Sequence, residues 1–186
     1  MRINVIGTSG SGKTTFGRQL AEILGIPCLE MDAIFWGPDW YFPPEEEFLP
    51  RLSKILEEEH WVLDGNYTRT LGIKWSRVDA VIWLDYSFPR TLYQAITRAI
   101  SRLINQEELW PGTGNRENIK MLFSRDSIVL WTIRTYWKNR RRNIGWLELE
   151  EYNHIQFHQL KSPAETSIFL ERIKSEPDFL LMDQSI

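Results

Sequence analysis

Cysteine is nearly absent from this chain. Cys28 is the single one in 186 residues, so no internal disulfide can form and a reducing compartment suits the protein. It falls in a strand-like stretch and reads as a buried structural thiol. Histidine is scarce too: His60, His154 and His158 lack metal-ligand spacing, which leaves them as structural or surface side chains. No apolar run is long enough to cross a bilayer, and residues 1–6 enter a strand directly with no leader-like segment. The expected location is therefore cytoplasmic, without membrane contact. Internal repeats and low-complexity tracts are missing. Charge of either sign shows little excess, the net value being −3. That balance conceals an asymmetry. Residues 116–142 hold eight Lys/Arg (Arg116, Lys120, Arg125, Arg134, Lys138, Arg140, Arg141, Arg142) against Glu117 and Asp126, so the rest of the chain is acidic. A basic segment inside an acidic protein implies an anionic partner.

What is abundant is apolar and aromatic. A hydrophobic content of 42% with nine Trp supplies a core, and the length fits one α/β domain with a small inserted lid. The run Gly7, Thr8, Ser9, Gly10, Ser11, Gly12, Lys13, Thr14 matches G-x-x-x-x-G-K-[ST] at every fixed position, with Thr15 following. Residues 2–6 read as a short buried strand. Lys13 to Leu24 carry Phe16, Leu20, Ile23 and Leu24 at helical spacing. Strand, glycine loop and helix together aim backbone N–H groups at one point, where a polyphosphate is favoured. Lys13 reaches the outer phosphates in such a loop, and the Thr14 hydroxyl ligates Mg²⁺. The pattern predicts binding of a nucleoside triphosphate at Gly7 to Thr15.

The remaining elements alternate. Strands are predicted at about 27–31, 61–63, 80–84 and 155–160. Helices are predicted at about 44–59, 89–104 (Leu92, Ile96, Ala99, Ile100 and Leu103 inward) and 117–141. A last helix opens with a capping box at Ser162–Glu165, Pro163 being at N1. Alternation of this kind predicts a three-layer α/β/α P-loop NTPase fold with a five-stranded parallel sheet, the site lying at the strands' C-terminal ends. The whole chain, 1–186, reads as one domain with an acceptor-side helical segment at about 33–60 and a lid-like basic helical segment at about 105–150.

No N-K-x-D tetrapeptide is present to bind guanine, and no L-S-G-G-Q of transporter ATPases. An aspartate, Asp64, closes the strand before Gly65, where it either holds Mg²⁺ or caps a turn. Residues 62–70, running through Asp64, Gly65, Asn66, Tyr67, Thr68 and Arg69, resemble the L-L-D-G-F-P-R-T stretch of adenylate kinase with one residue inserted. The chain as a whole resembles the nucleoside monophosphate kinase and small-molecule kinase superfamily. Nearest in pattern is the bacterial adenylate-kinase-related group called topology modulation proteins, through Ile6–Thr14, Met31–Trp36 and Leu63–Tyr67.

That resemblance implies a Mg·ATP-dependent phosphotransferase with a small acceptor. It implies Asp64 at the metal with Thr14, and Gly65, Asn66 and Arg69 toward the acceptor. Asp32 matches the aspartate that, in shikimate and gluconate kinases, orients the acceptor hydroxyl. ATP over GTP follows from the resemblance alone, with the adenine packing near residues 160–164. Trp36 and Trp40, in an aromatic cluster with Phe35, Tyr41 and Phe42, either stack on the acceptor or anchor the 44–59 helix. Arg134, Lys138 and Arg141 share one helical face, and Arg98 and Arg102 share another. As in the lids of these kinases, Arg98, Arg134 and Arg141 are expected to close on the transferred phosphoryl group. The alternatives are a solvated face or a nucleic-acid surface using Trp131, Tyr136 and Trp137. The oligomeric expectation is a monomer or a homodimer.

Overall fold

The computed structural model describes residues 1–118 and 127–181. Lys120 and Arg125 of the basic segment lie outside the described residues. Five strands form one parallel sheet: β1 (Arg2–Gly7), β2 (Cys28–Glu30), β3 (Trp61–Asp64), β4 (Ala80–Leu84) and β5 (Gln156–Leu160). Their order is β2-β3-β1-β4-β5, with Ile3 of central β1 paired to Val62 on one side and Ala80 on the other. Among the described residues seven α-helices connect or follow them: α1 (Lys13–Leu24), α2 (Met31–Phe35), α3 (Glu45–Ile55), α4 (Leu71–Lys74), α5 (Phe88–Asn105), α6 (Ile128–Leu147) and α7 (Pro163–Ser175).

Alternation along β1 divides the interior into two layers. Ile3 and Val5 face Phe16 and Leu20 of α1 and Phe169 and Ile173 of α7. Ile6 faces the opposite layer, where Phe48 and Leu52 of α3, Trp75, and Trp146 of α6 pack. This is the expected three-layer arrangement. Helix α7 starts as its capping box predicts, with the Ser162 hydroxyl accepting the Glu165 N–H. Cys28 is half-buried on β2, and burial pushes its thiol up to about 11.

Three expectations need correction. The second strand, predicted to about residue 31, stops at Glu30, and Met31 and Asp32 instead open α2, a helix too short for its periodicity to show in the sequence. Helix α3 ends at Ile55, four residues early. Ile96 and Ile100 of α5 are 38% and 46% exposed, while Thr91, Ala95 and Ala99 are buried. The reason is steric. A Cβ on Gly10 would stand 2.7 Å from Thr91 O and 2.9 Å from Ala95 Cβ, so α5 lies so close to the phosphate loop that its smallest residues must face inward.

Candidate active site

Gly12 caps α1 in the left-handed region at φ 89° and offers no side chain to the free N–H groups of the first turn. Those donors and the positive helix end point outward, as an anion site requires. The loop is held from several sides. Ser11 N–H donates to Thr8 O at 3.0 Å, and Lys13 Nζ donates to the same carbonyl at 3.3 Å. Arg98 of α5 donates to Ser9 Oγ at 3.1 Å, and the Thr132 hydroxyl of α6 donates to Ser9 O at 3.3 Å. Asn66 grips Gly7 twice, accepting its N–H at 3.0 Å and donating to its carbonyl at 2.7 Å.

Asp64 leaves the C-terminal end of β3 beside this loop and is buried. One carboxylate oxygen, Oδ2, accepts the Thr14 hydroxyl; the other, Oδ1, is buried with no hydrogen-bond partner among the described residues. A hydroxyl and an orphaned carboxylate oxygen are hard donors that fit Mg²⁺, which takes one or two protein oxygens and completes its shell with phosphate and water. Among the described residues no cluster of three or more His, Cys, Asp or Glu forms a self-sufficient metal cage. Burial pushes the Asp64 carboxyl up, against the pull of Lys13 and the Thr14 hydroxyl. Burial likewise pushes the Lys13 ammonium down, with Asp64 opposing it and Arg98 adding to the fall. Arg98 is itself lowered by burial and then by Arg102, with Glu117, Asp32 and Asp64 opposing; its Nε is buried with no hydrogen-bond partner among the described residues. Lys13, Asp64, Asp32 and Arg98 thus share one electrostatic field at the phosphate loop.

Asp32 is exposed, and the Tyr67 hydroxyl donates to its Oδ1 at 2.7 Å. Burial, and then the Asp32 charge, push the Tyr67 hydroxyl up, so it stays a donor. Gly65 stands at φ 147° where a Cβ would meet the Met31 side chain at 2.5 Å; its backbone packs on α2. Arg69 pairs with Glu45 at 3.2 Å at the rim and lies 5.1 Å over the Phe35 ring. Phe35, packed on Phe48 of α3 and Tyr67, is an anchor of the helix. Trp36 instead stacks on Trp110, 6.0 Å between ring centroids, with Trp40 edge-on to both. Asn115 completes that junction by accepting the Trp40 N–H at 3.0 Å and donating to Gly37 O at 2.9 Å. Trp110 and Asn115, which follow α5, are therefore docked on the acceptor-side segment.

The sequence placed some side chains wrongly. Asn66 was expected toward an acceptor, but both ends of its amide are engaged by Gly7. Arg134 and Arg141 were expected at the phosphoryl group; both are exposed on the side of α6 opposite buried Thr132, Tyr136, Asn143 and Trp146. Helix α6 spends its inward face on anchoring: the Tyr136 hydroxyl donates to Tyr86 O at 2.7 Å, and Arg140 pairs with buried Asp85 at 3.0 Å, where Gln159 also donates. Arg142 lies 4.8 Å over the Trp146 ring. Tyr67, Trp110, Asn115 and Asp85 were not singled out as site residues. Of these, only Tyr67 had a local signal, its place two residues after Gly65.

No family model matches the chain. Over 63 residues it is 40% identical to shikimate kinases of two Actinobacillus pleuropneumoniae strains, serotype 5b (strain L20) and serotype 3 (strain JL03). The match covers 30% of this chain and 36% of each relative, so the chain spans about a third of the length of the curated relatives it matches. Solved structures match along nearly the whole length. A shikimate kinase from Bacteroides thetaiotaomicron superposes with a TM-score of 0.54 at 14% identity, covering 96% of this chain and 98% of that one. One from Acinetobacter baumannii, in complex with shikimate, gives 0.56 at 20% identity, covering 97% and 95%. The fold is that of these shikimate kinase structures, a P-loop α/β fold. At these identities the structural likeness speaks for fold alone. Among the described residues no helix is long and apolar enough to cross a membrane.

Proposed function

We propose that this chain is a kinase that moves the γ-phosphoryl group of Mg·ATP to a hydroxyl of a small acceptor, with shikimate the first acceptor to test. The observation that carries the proposal is the phosphate loop with buried Asp64 bonded to Thr14 and Arg98 bonded to Ser9, beside an Asp32 that accepts the Tyr67 hydroxyl. Residues Gly7–Thr15 cradle the phosphates through main-chain N–H groups, and Lys13 neutralises the outer ones. Thr14 and Asp64 hold Mg²⁺, which when bound offsets phosphate charge. Asp32, oriented by the Tyr67 hydroxyl, accepts the acceptor's hydroxyl proton or aligns its oxygen for attack as the bond to the β-phosphate oxygen breaks. Arg98 stabilises charge on the group in transit. Trp36, Gly65 and Arg69 border the acceptor space. The segment at 33–60 forms its wall, with Trp110 and Asn115 closing on it, in a cytoplasmic enzyme. The shikimate kinase names of the matched relatives support the acceptor; the Met31–Trp36 and Leu63–Tyr67 patterns support the narrower likeness to the topology modulation group.

Acceptor-stimulated ADP release, screened over shikimate, nucleoside monophosphates and small alcohols with Lys13→Ala as the blank, tests this. Release with one acceptor and none from Lys13→Ala is expected. No release with any acceptor would sink it. A second reading has its own observation: Trp131 and Trp137, 58% and 55% exposed, accompany exposed Arg134, Lys138 and Arg141 along α6, a combination suited to nucleic acid. Tight DNA binding with a steep salt dependence, alongside absent phosphoryl transfer, selects that reading.

A further inference from the structure

Lys74, the last residue of α4, is completely buried. Its ammonium donates to Gly65 O at 3.2 Å and to Asn66 O. Among the described residues no carboxylate pairs with it. The charged group facing it is Arg142 of α6, and burial together with that neighbour lowers it to about 7. From β1 the uncharged Asn4 shares its acceptor: the Asn4 amide also donates to Gly65 O at 3.2 Å and accepts the Trp75 indole N–H at 2.8 Å. A buried cation with no counter-ion costs stability, and an apolar side chain of similar volume would not. Such a residue is explained by what its hydrogen bonds do.

Those bonds lead to the phosphate loop. The Asn66 backbone that Lys74 holds carries the side-chain amide that grips Gly7 through both its N–H and its carbonyl. Gly7 opens the loop, and Asp64 directly precedes Gly65. We propose that Lys74 is a positioning residue for the nucleotide cradle: its ammonium pins the Gly65 and Asn66 carbonyls so that the Asn66 amide holds Gly7 in the shape that accepts a nucleoside triphosphate. This rests on reading residues 7–15 as the polyphosphate site. The neutral amine keeps fewer donors and loses the charge assistance that roughly doubles a hydrogen bond's strength, so the clamp slackens when Lys74 loses its proton.

The test measures Mg·ATP affinity for the full chain, Lys74→Met, Asn66→Ala and the double variant between about pH 6 and 9, spanning the Lys74 titration. Each single change is expected to weaken binding by about tenfold, the size of one lost charge-assisted bond. The double variant should be little worse than the weaker-binding single one, because both act along one path. Affinity of the unaltered chain should fall as pH rises through about 7, and that fall should vanish in Asn66→Ala. Unchanged affinity in Lys74→Met, or losses that multiply in the double variant, overturns the inference. Should Lys74→Met not fold, the pH arm decides: a flat profile in the unaltered chain, or a fall that persists in Asn66→Ala, overturns it. Failure of the unaltered chain to bind Mg·ATP refutes the site itself, whereas binding that ignores Lys74 refutes the positioning role alone.

Discussion

Replacing Lys74 by Met should stabilise the fold at neutral pH, and the gain should shrink as pH rises. In the native chain burial holds the Lys74 ammonium near 7, while in the unfolded chain it returns to its ordinary 10.5. Below about 7 the lysine carries its proton in both states, and the full cost of the buried charge is present. Between 7 and 10.5 the unfolded state binds the extra proton, so native stability rises with pH at about 1.4 kcal/mol per pH unit from this group. Integrated from about pH 7.5 to 9.5, Lys74 accounts for a rise of about 2.5 kcal/mol that the methionine variant lacks. Urea unfolding of both proteins at several pH values measures it, and taking the difference cancels every other titrating group. A stability difference that stays constant over that window would refute the reasoning, because it would mean Lys74 keeps its ordinary proton affinity inside the fold.

The remaining predictions concern the site. Asp64→Asn should weaken the Mg²⁺ dependence of ATP binding whatever the acceptor, whereas Asp32→Asn should lower turnover and leave ATP affinity nearly intact; titrating ATP with and without Mg²⁺ separates the two. Arg98→Ala should cut phosphoryl transfer by at least about a hundredfold, as losing a preorganised donor does, while Arg134→Ala and Arg141→Ala should change the rate by less than about threefold because both face away from the loop. Equal losses in all three rate assays would contradict the observed face of α6. Tyr67→Phe removes one hydrogen bond to the Asp32 carboxylate and should lower kcat by about tenfold with little effect on KM for ATP; an unchanged kcat would show that Asp32 needs no orienting partner.

The phosphate loop, the five strands and Asp64 at the end of β3 were legible in the sequence because each is a local matter. Glycine spacing sets backbone freedom, Gly12 caps the start of α1 as its place in the loop implies, and buried parallel strands appear as short apolar runs. Register and helix faces were less legible. The isoleucines of α5 look like an inward stripe, yet close contact with Gly10 reserves that side for Thr91, Ala95 and Ala99. In α6 a row of arginines looks like a lid, yet the helix turns Thr132, Tyr136 and Asn143 inward and leaves Arg134 and Arg141 outside.

The chain by itself therefore determined that a polyphosphate loop sits at the head of a parallel sheet with a carboxylate beside it. Only the tertiary structure decided which cation faces that loop, what Asn66 holds, and that Tyr67 orients Asp32. Arg98 lies 89 residues from Ser9, Asn66 lies 59 from Gly7, and Tyr67 lies 35 from Asp32. Contacts over such separations are set by how close two elements can approach and which of their faces is small enough to meet, and no spacing along a single element encodes that.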